Sequence, residues 1–320
     1  MIEEAIGLYE AARVKAGAFV GGEASNVTFI PTASVGLFQV AFGLTGGNVV
    51  VAKHEFPANT YPWQRAADRG GPEVRFVDCP NGIVTAEALA DAVDTETQAI
   101  SVSFVDFATG HRPLLEPLRE LAGEALLVVD AIQGFGALPI TLDECDVIIT
   151  GGQKWLRSGW GSGLLATGPR ALDRIESSLT GWYGVEDFLV FDQIWHAPRP
   201  DAEQYQEGSP PVFGGVAVGA AIDVIEIAGI DGVARAVIDR VCETEDLLRE
   251  KGAELLEPWG SDDERAGILN WRLPSEPATE TWERLMAAGI ICVERIPGWI
   301  RVAPHASTSD ETVAMLAEAV

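Results

Sequence analysis

Cysteine, histidine, methionine and lysine are all scarce in this 320-residue chain. It has 4 cysteines, 4 histidines and 3 methionines, and its only lysines are Lys15, Lys53, Lys154 and Lys251. Cys79, Cys145, Cys242 and Cys292 are widely separated and make no CxxC pair, which argues for free thiols over a disulfide or thiolate-metal framework. His54, His111, His196 and His305 make no HxxxH or HExxH, so no metal site is expected. Positive charge is also short: 22 Lys+Arg stand against 48 Asp+Glu, a formal net charge of −26. Such a field repels nucleic-acid phosphates and anionic headgroups, and neither nucleic acid nor membrane is expected as a partner. Long apolar runs are missing too, since the most apolar stretch, Val212 to Ile230, is broken by Asp223 and Glu226. Met1 to Val14 is acidic and amphipathic, with no basic n-region or apolar h-region. The expectation is a soluble, cytoplasmic protein.

Hydrophobic residues make up 47% and charged residues 22% of the chain, a composition that excludes disordered and fibrous classes. Short β-branched runs alternate with amphipathic stretches between residues 27 and 168. Strands are expected at Val27–Ile30, Asn48–Ala52, Glu73–Val77, Ala99–Phe104, Ala125–Val129, Val147–Thr150 and Gly163–Ala166, with helices between them such as Thr85–Val93 and Leu114–Leu121. Fully apolar strands separated by helices predict an α/β fold, a three-layer, mostly parallel, doubly wound sheet covered on both faces. Phe191–Gly208, polar and broken by proline, reads as a long loop. A second pattern begins near Pro210-Pro211, with helices over Phe213–Ile230 and Gly232–Lys251. It continues with strands at Ile268–Leu273, near Ile290–Val293 and at Trp299–Val302, a helix at Ala278–Ala288, and a last helix capped by Ser309. The expected division is a large domain over 1–211, opened by a short N-terminal helix, and a smaller C-terminal α+β domain over 212–320.

In doubly wound sheets, ligands collect beyond the carboxyl ends of the strands, and three segments place chemistry there. Lys154 follows the apolar run Ile148-Ile149-Thr150 among glycines; it is either a surface lysine in a turn or an amine kept partly desolvated for Schiff-base chemistry. Asp130 closes the run Leu126-Leu127-Val128-Val129. It either caps the next helix or sets a buried carboxylate at the sheet edge, where it needs a cation or donors such as a pyridinium nitrogen. Phe29-Ile30-Pro31-Thr32-Ala33-Ser34 turns from strand into helix, and its free amides suit a phosphate as readily as they serve an ordinary helix start.

Together these segments resemble the class V aminotransferase family of pyridoxal-phosphate enzymes, fold type I, with motifs most similar to kynureninase and to the cysteine desulfurase and selenocysteine lyase group. The resemblance rests on Ser34-Val35-Gly36-Leu37-Phe38, Phe56-Pro57-Ala58-Asn59-Thr60-Tyr61, Asp106-Phe107-Ala108-Thr109-Gly110, Asp130-Ala131-Ile132-Gln133, Gln153-Lys154-Trp155-Leu156, Thr180-Gly181-Trp182, Gly208-Ser209-Pro210-Pro211 and Ile300-Arg301-Val302-Ala303-Pro304, which occur in family order. It implies that Lys154 forms the Schiff base with pyridoxal 5'-phosphate and shuttles the α-proton. Asp130 would pair with the pyridine nitrogen, Gln133 would reach the phenolate oxygen, and Phe56 would stack on the ring, with Asn59 and Asp106 among the cofactor contacts. The amides of Ala33 and Ser34 would hold the phosphate with Gln153. Trp182 and Ser209 would reach it from the other subunit of a homodimer that shares its active sites, and Arg301 would bind the carboxylate of an amino-acid substrate.

Several positions depart from that pattern. The interval Cys292 to Ile300 nearly lacks the loop on which desulfurases carry a nucleophilic cysteine, and Cys292 sits in an apolar run as a strand residue. Gln153 and Ser209 replace the tyrosine and asparagine of kynureninases, and Asp106 stands where an asparagine is common, so a second carboxylate near the ring is expected to raise one pKa of the set or to recruit a donor. The segment ahead of the phosphate turn is shorter than is usual in the family, which implies an open pocket or one filled by the partner subunit. The reaction expected is transamination at the α-carbon. A kynureninase-like or C–S β-lyase using the same lysine is the alternative, as is a catalytically silent dimeric binding protein. A nucleotide-dependent oxidoreductase fails on motif, because no GxGxxG follows the first strand. The charge of −26 also predicts that the melting temperature rises with salt, as screening relieves self-repulsion; a flat or falling melting temperature from low to molar salt overturns this.

Overall fold

The computed structural model describes every residue except Met1 and Gln193, and the side chain of Ile2. In chain order the large sheet and its helices are α1 (Ile2–Phe19), β1 (Val27–Phe29), α2 (Ala33–Gly43), β2 (Asn48–Ala52), α3 (Tyr61–Ala67), β3 (Glu73–Val77), α4 (Ala86–Leu89), β4 (Thr97–Ser103), α5 (Leu115–Ala122), β5 (Leu126–Asp130), β6 (Val147–Gly151), β7 (Gly163–Thr167) and α6 (Pro169–Arg174). The remainder is α7 (Val212–Ala228), α8 (Ile230–Glu250), β8 (Glu254–Leu256), β9 (Leu269–Arg272), α9 (Ala278–Ala287), β10 (Val293–Glu294), β11 (Ile300–Val302) and α10 (Asp310–Ala319). Seven strands form one sheet in the order β1-β7-β6-β5-β4-β2-β3. Pairs among β2 to β6 are parallel, whereas β7 runs antiparallel to both β6 and β1. The expected mostly parallel, doubly wound sheet is present.

Alternation along β5 shows why its sequence is apolar throughout. Leu127 and Val129 enter the core shared with α1, α5 and α7, while Leu126 and Val128 enter the core shared with α2, α3 and α6. A strand buried on both faces has no position for a solvated side chain. On the second face α2 lies close to the sheet at Gly36, where a Cβ would come within 2.9 Å of the Ile149 side chain. Helix α7 packs on α1 and β7, and its Val218 and Ile222 are fully buried in the first core. A four-stranded antiparallel sheet, β10-β11-β9-β8, forms a separate core with α8, α9 and α10 around Trp271, Leu285 and Ile300. Among the described residues no single helix is long and apolar enough to cross a membrane.

Two local expectations need correction. The strand expected near Ile290–Val293 is shifted to Val293–Glu294, leaving Cys292 just before it. Phe191–Gly208 is not simply a loop, because Ala202–Tyr205 makes a 3-10 turn whose Glu203 and Tyr205 are buried. The physical reason is a polar cluster that partners one oxygen of the buried Glu203. Glu203 Oε1 accepts hydrogen bonds from Tyr9 Oη at 3.0 Å and Thr28 Oγ1 at 2.7 Å, and the Arg13 guanidinium lies 3.5 Å away. Arg13 also meets Glu10 at 2.8 Å and Asp201 at 3.1 Å, and donates to the carbonyl of Val27. A buried carboxylate is tolerated only with such partners. Arg13→Met is therefore expected to cost about 3–5 kcal/mol in urea unfolding, and adding Glu203→Gln to recover much of that loss. A single variant within about 1 kcal/mol of the parent would show that the cluster is not what holds α1 in place.

Candidate active site

The carboxyl edge of the parallel strands brings the reactive side chains together. Strand β5 ends on Asp130, whose carboxylate is 1% exposed and accepts a hydrogen bond from Ile132 N at 3.1 Å. The adjacent strand β6 ends on Gly151, three residues before Lys154. Between them the chain folds back on itself: Gly152 N donates to the carbonyl of Ser162 at 2.7 Å and Ser158 N to that of Gly152 at 2.8 Å. A Cβ at Gly152 would fall 1.8 Å from Ser158 Oγ and 2.2 Å from Ser162 Oγ, so this close turn favours glycine at that position. The lysine is mostly withdrawn from solvent. Burial pushes its pKa down, the charge of Asp130 opposes that shift, and Arg301 and Arg295 add to it.

A cavity of about 400 Å³ opens over this amine, a size suited to a small ligand. Its walls are Phe56 and Phe107 on one side, Gln133 and Trp155 toward the sheet, and Arg157, Arg295, Arg301, Ala303 and His305 toward the C-terminal unit. Lys154 Nζ lies 5.6 Å from the centre of the Phe56 ring, which meets Phe107 edge-on at 5.2 Å. Arg301, on β11, is anchored by donating from Nη1 to the carbonyl of Phe107. Burial lowers its pKa, with Arg295 acting in the same direction and Asp106 against. His305 stacks on Trp155 at 5.8 Å.

The other residues singled out from sequence are placed differently. Ala33 and Ser34 are the first two residues of α2, capped by Thr32, so their amides lack partners within the helix. Gln153 is half-buried, with its side-chain oxygen close over Gly151. Asn59 is fully buried and does not line the cavity, its Oδ1 accepting from Ser101 Oγ at 2.6 Å and its Nδ2 without a hydrogen-bond partner among the described residues. Asp106 turns its carboxylate into its own loop, where Oδ1 accepts from Ala108 N at 3.0 Å and Thr109 N at 2.6 Å. Trp182 and Ser209 are exposed and do not line the cavity of their own chain.

The carboxylate that feels the charge of Asp130 is Glu55, while Asp106 directs its own to donors of its loop. Glu55 is nearly buried and accepts hydrogen bonds from Ser103 N, at 2.7 Å, and from Ser103 Oγ. Burial raises its pKa to about 7, opposed by the Ser103 bonds and reinforced by Asp130. Sequence reasoning passes over Glu55 because it sits between a histidine and a phenylalanine, where nothing marks it as buried. It also passes over Arg157, Arg295 and His305, which reach the cavity only through tertiary folding. The thiols lie elsewhere: Cys292 is 4% exposed in the core of the small sheet, burial raises its pKa, and none of the four cysteines lines the cavity.

Comparison with known proteins places the chain by family and fold. Residues 1–294 match the family model described as aminotransferase class-V. The chain is 27% identical over 310 residues to an uncharacterized aminotransferase, YcbU, of Bacillus subtilis, covering 95% of this chain and 80% of that one. It is likewise 27% identical over 284 residues to a probable cysteine desulfurase of Pyrococcus abyssi, covering 83% of this chain and 68% of the relative. Among solved structures, the apo cysteine desulfurase of Thermococcus onnurineus superposes with a TM-score of 0.85 at 23% identity, over 99% of this chain and 83% of that one. The cystine C-S lyase C-DES, in complex with cysteine persulfide, gives 0.87 at 18% identity, over 99% and 86%. These structural likenesses establish the fold.

Burial raises the Asp130 pKa from 3.8 to about 6, outweighing the Ile132 hydrogen bond and the charge of Lys154. The folded chain therefore keeps this proton to higher pH than the unfolded chain, and stability is lost as pH rises from about 4 through about 6. In the ligand-free protein at pH 8, Asp130→Asn is expected to raise unfolding stability by on the order of 2–3 kcal/mol, a gain that vanishes near pH 4. A variant less stable than the parent at pH 8 would show that the carboxylate is fully compensated in the fold.

Proposed function

The chain belongs to the class V aminotransferase family, and on that premise we propose that it transaminates an amino acid at the site built around Lys154. It is a pyridoxal-phosphate enzyme, and the donor set suits that cofactor. The buried Asp130 carboxylate offers a pyridine nitrogen the partner that the fold does not itself supply. The first-turn amides of α2, at Ala33 and Ser34, are the groups that would take the phosphate, joined by Gln153. Phe56 would lie against the ring and Gln133 would reach its edge. Bound there, the cofactor supplies the electron sink that makes an α-proton of the substrate acidic.

The chain's own residues then divide the work. Arg301, held by Phe107, orients the α-carboxylate by a paired guanidinium contact. Lys154 carries the proton between the α-carbon and the cofactor side, a task that suits an amine whose proton affinity burial has reduced. Asp130 stays ionised when a cationic partner faces it. Phe56, Phe107 and Trp155 limit water around the amine. The observation that carries this reading is a desolvated Lys154 beside buried Asp130 at the edge of the large sheet, with Arg301 of the small sheet, free of any ion pair among the described residues, facing the same cavity. Trp182 and Ser209, exposed here, would complete the phosphate site of a second subunit, which makes the working unit a homodimer.

A second reading, a lyase acting on a carbon–sulfur bond, is favoured by the relatives named cysteine desulfurase. It would have to proceed without an enzyme thiol in the cavity, because Cys292 is packed in the small-sheet core. Product analysis separates the two: keto acid with aminated cofactor marks transamination, and ammonia or alanine with unchanged cofactor marks the lyase. Incubation with pyridoxal phosphate is expected to give visible-range absorbance that Lys154→Ala abolishes, with turnover falling by about 10²–10⁴-fold or more. Absorbance that is missing in the parent, or unchanged in the variant, overturns the assignment.

A further inference from the structure

The cavity over Lys154 gathers cations in a chain whose net charge is −26. Lys154, Arg157, Arg295 and Arg301 all line it, and among the described residues none of the three arginines forms an ion pair. Two of these arginines are anchored. Arg301 donates to the carbonyl of Phe107, and Arg157 Nη1 donates to Ser307 Oγ at 2.6 Å. Arg295 is exposed and has no hydrogen-bond partner among the described residues, but the hairpin it starts fixes its backbone at the cavity rim. Glu294 pairs with Ile300 across β10 and β11, and the five residues between them close tightly. Glu294 Oε1 accepts from Gly298 N at 2.6 Å, Trp299 N donates to the carbonyl of Ile296 at 3.0 Å, and Gly298 turns at a φ of 83°.

The charge of Arg295 is felt by both Lys154 and Arg301, lowering the proton affinity of each. Two guanidiniums facing one cavity repel each other unless anions lie between them. The α-carboxylate of an ordinary amino acid satisfies Arg301 and leaves Arg295 facing an empty or apolar group. A second acidic group, a few bonds further along the substrate, would neutralise it. We infer that Arg295 reads an acid on the substrate side chain, so that the substrate class is the dicarboxylic amino acids. Arg295 thus acts as a specificity-determining residue, and discrimination arises because an uncharged side chain leaves a guanidinium unpaired.

This inference rests on the reading of Lys154 and Arg301 given above, and the test keeps the two apart. The protein loaded with pyridoxal phosphate is titrated with L-aspartate, L-glutamate, their amides asparagine and glutamine, and L-alanine, following the cofactor absorbance for dissociation constants. At least one acid is expected to bind about tenfold or more tightly than its amide. Arg295→Gln should bring that ratio close to one, and Arg295→Lys should restore part of it. If acid and amide bind alike in the parent, the inference is overturned while the proposed function stands. It is equally overturned if Arg295→Gln weakens acid and amide by the same factor, since the residue would then serve the α-carboxylate. If no amino acid binds, alanine included, the proposed function falls and this inference with it.

Discussion

Asp130 is buried at the end of β5 with one backbone donor, from Ile132, so its charge has to be matched by something beyond its own strand. Burial alone would protonate it near neutral pH. The nearby Lys154 works against that, and the charge of Asp130 in turn raises the pKa of Glu55. The elements around the site follow from holding these groups together in a dry place. Parallel strands β4, β5 and β6 deliver Ser103, Asp130 and the approach to Lys154 to the same edge. Helices on both faces keep water from the strands that carry them. Such a site is poorly satisfied alone and well satisfied with a cationic ring in place, an arrangement common where stability is exchanged for function.

The overall field sharpens this. A chain with net charge −26 repels phosphates and carboxylates in solution, and both would have to enter this cavity. The anion sites therefore depend on local positive charge: the start of α2 on one side and the arginines of the C-terminal unit on the other. Anions that enter are held by short-range, desolvated contacts, which salt screens far less than it screens the surface. The arginines come from the segment after β6 and from the hairpin of the small sheet, so packing between the two sheets governs the strength of that local field.

Much of the architecture was legible because the strands announce themselves. Asn48–Ala52 and Glu73–Val77 coincide with β2 and β3, and the Ser309 cap of α10 was readable from Ser309-Asp310. The meeting of Lys154 with Asp130 was legible for the same reason, since each follows an apolar strand of one sheet. What sequence could not give was partnership at a distance. Glu55 bonds Ser103 from 48 residues away, and Glu203 lies in a stretch whose polarity suggested a surface loop. Arg295 was hidden similarly: an arginine beside a turn has no local signature until β11 sets it beside Arg301. The 3-10 turn at Ala202–Tyr205 is too short for periodicity to register.

The long reach of α1 has a bearing on how the chain comes to be folded. Tyr9 meets Glu203 across 194 residues, and Arg13 meets Asp201 across 188. During synthesis from the N-terminus, α1 emerges with Glu10 already beside Arg13 but well before Asp201 and Glu203 exist. Its apolar face must also wait for α7, which is made still later. The helix is therefore made well before the segments it docks against. Until those emerge the growing chain carries an arginine paired only with Glu10 and an open hydrophobic stripe, a stage of biogenesis that a chaperone would shield.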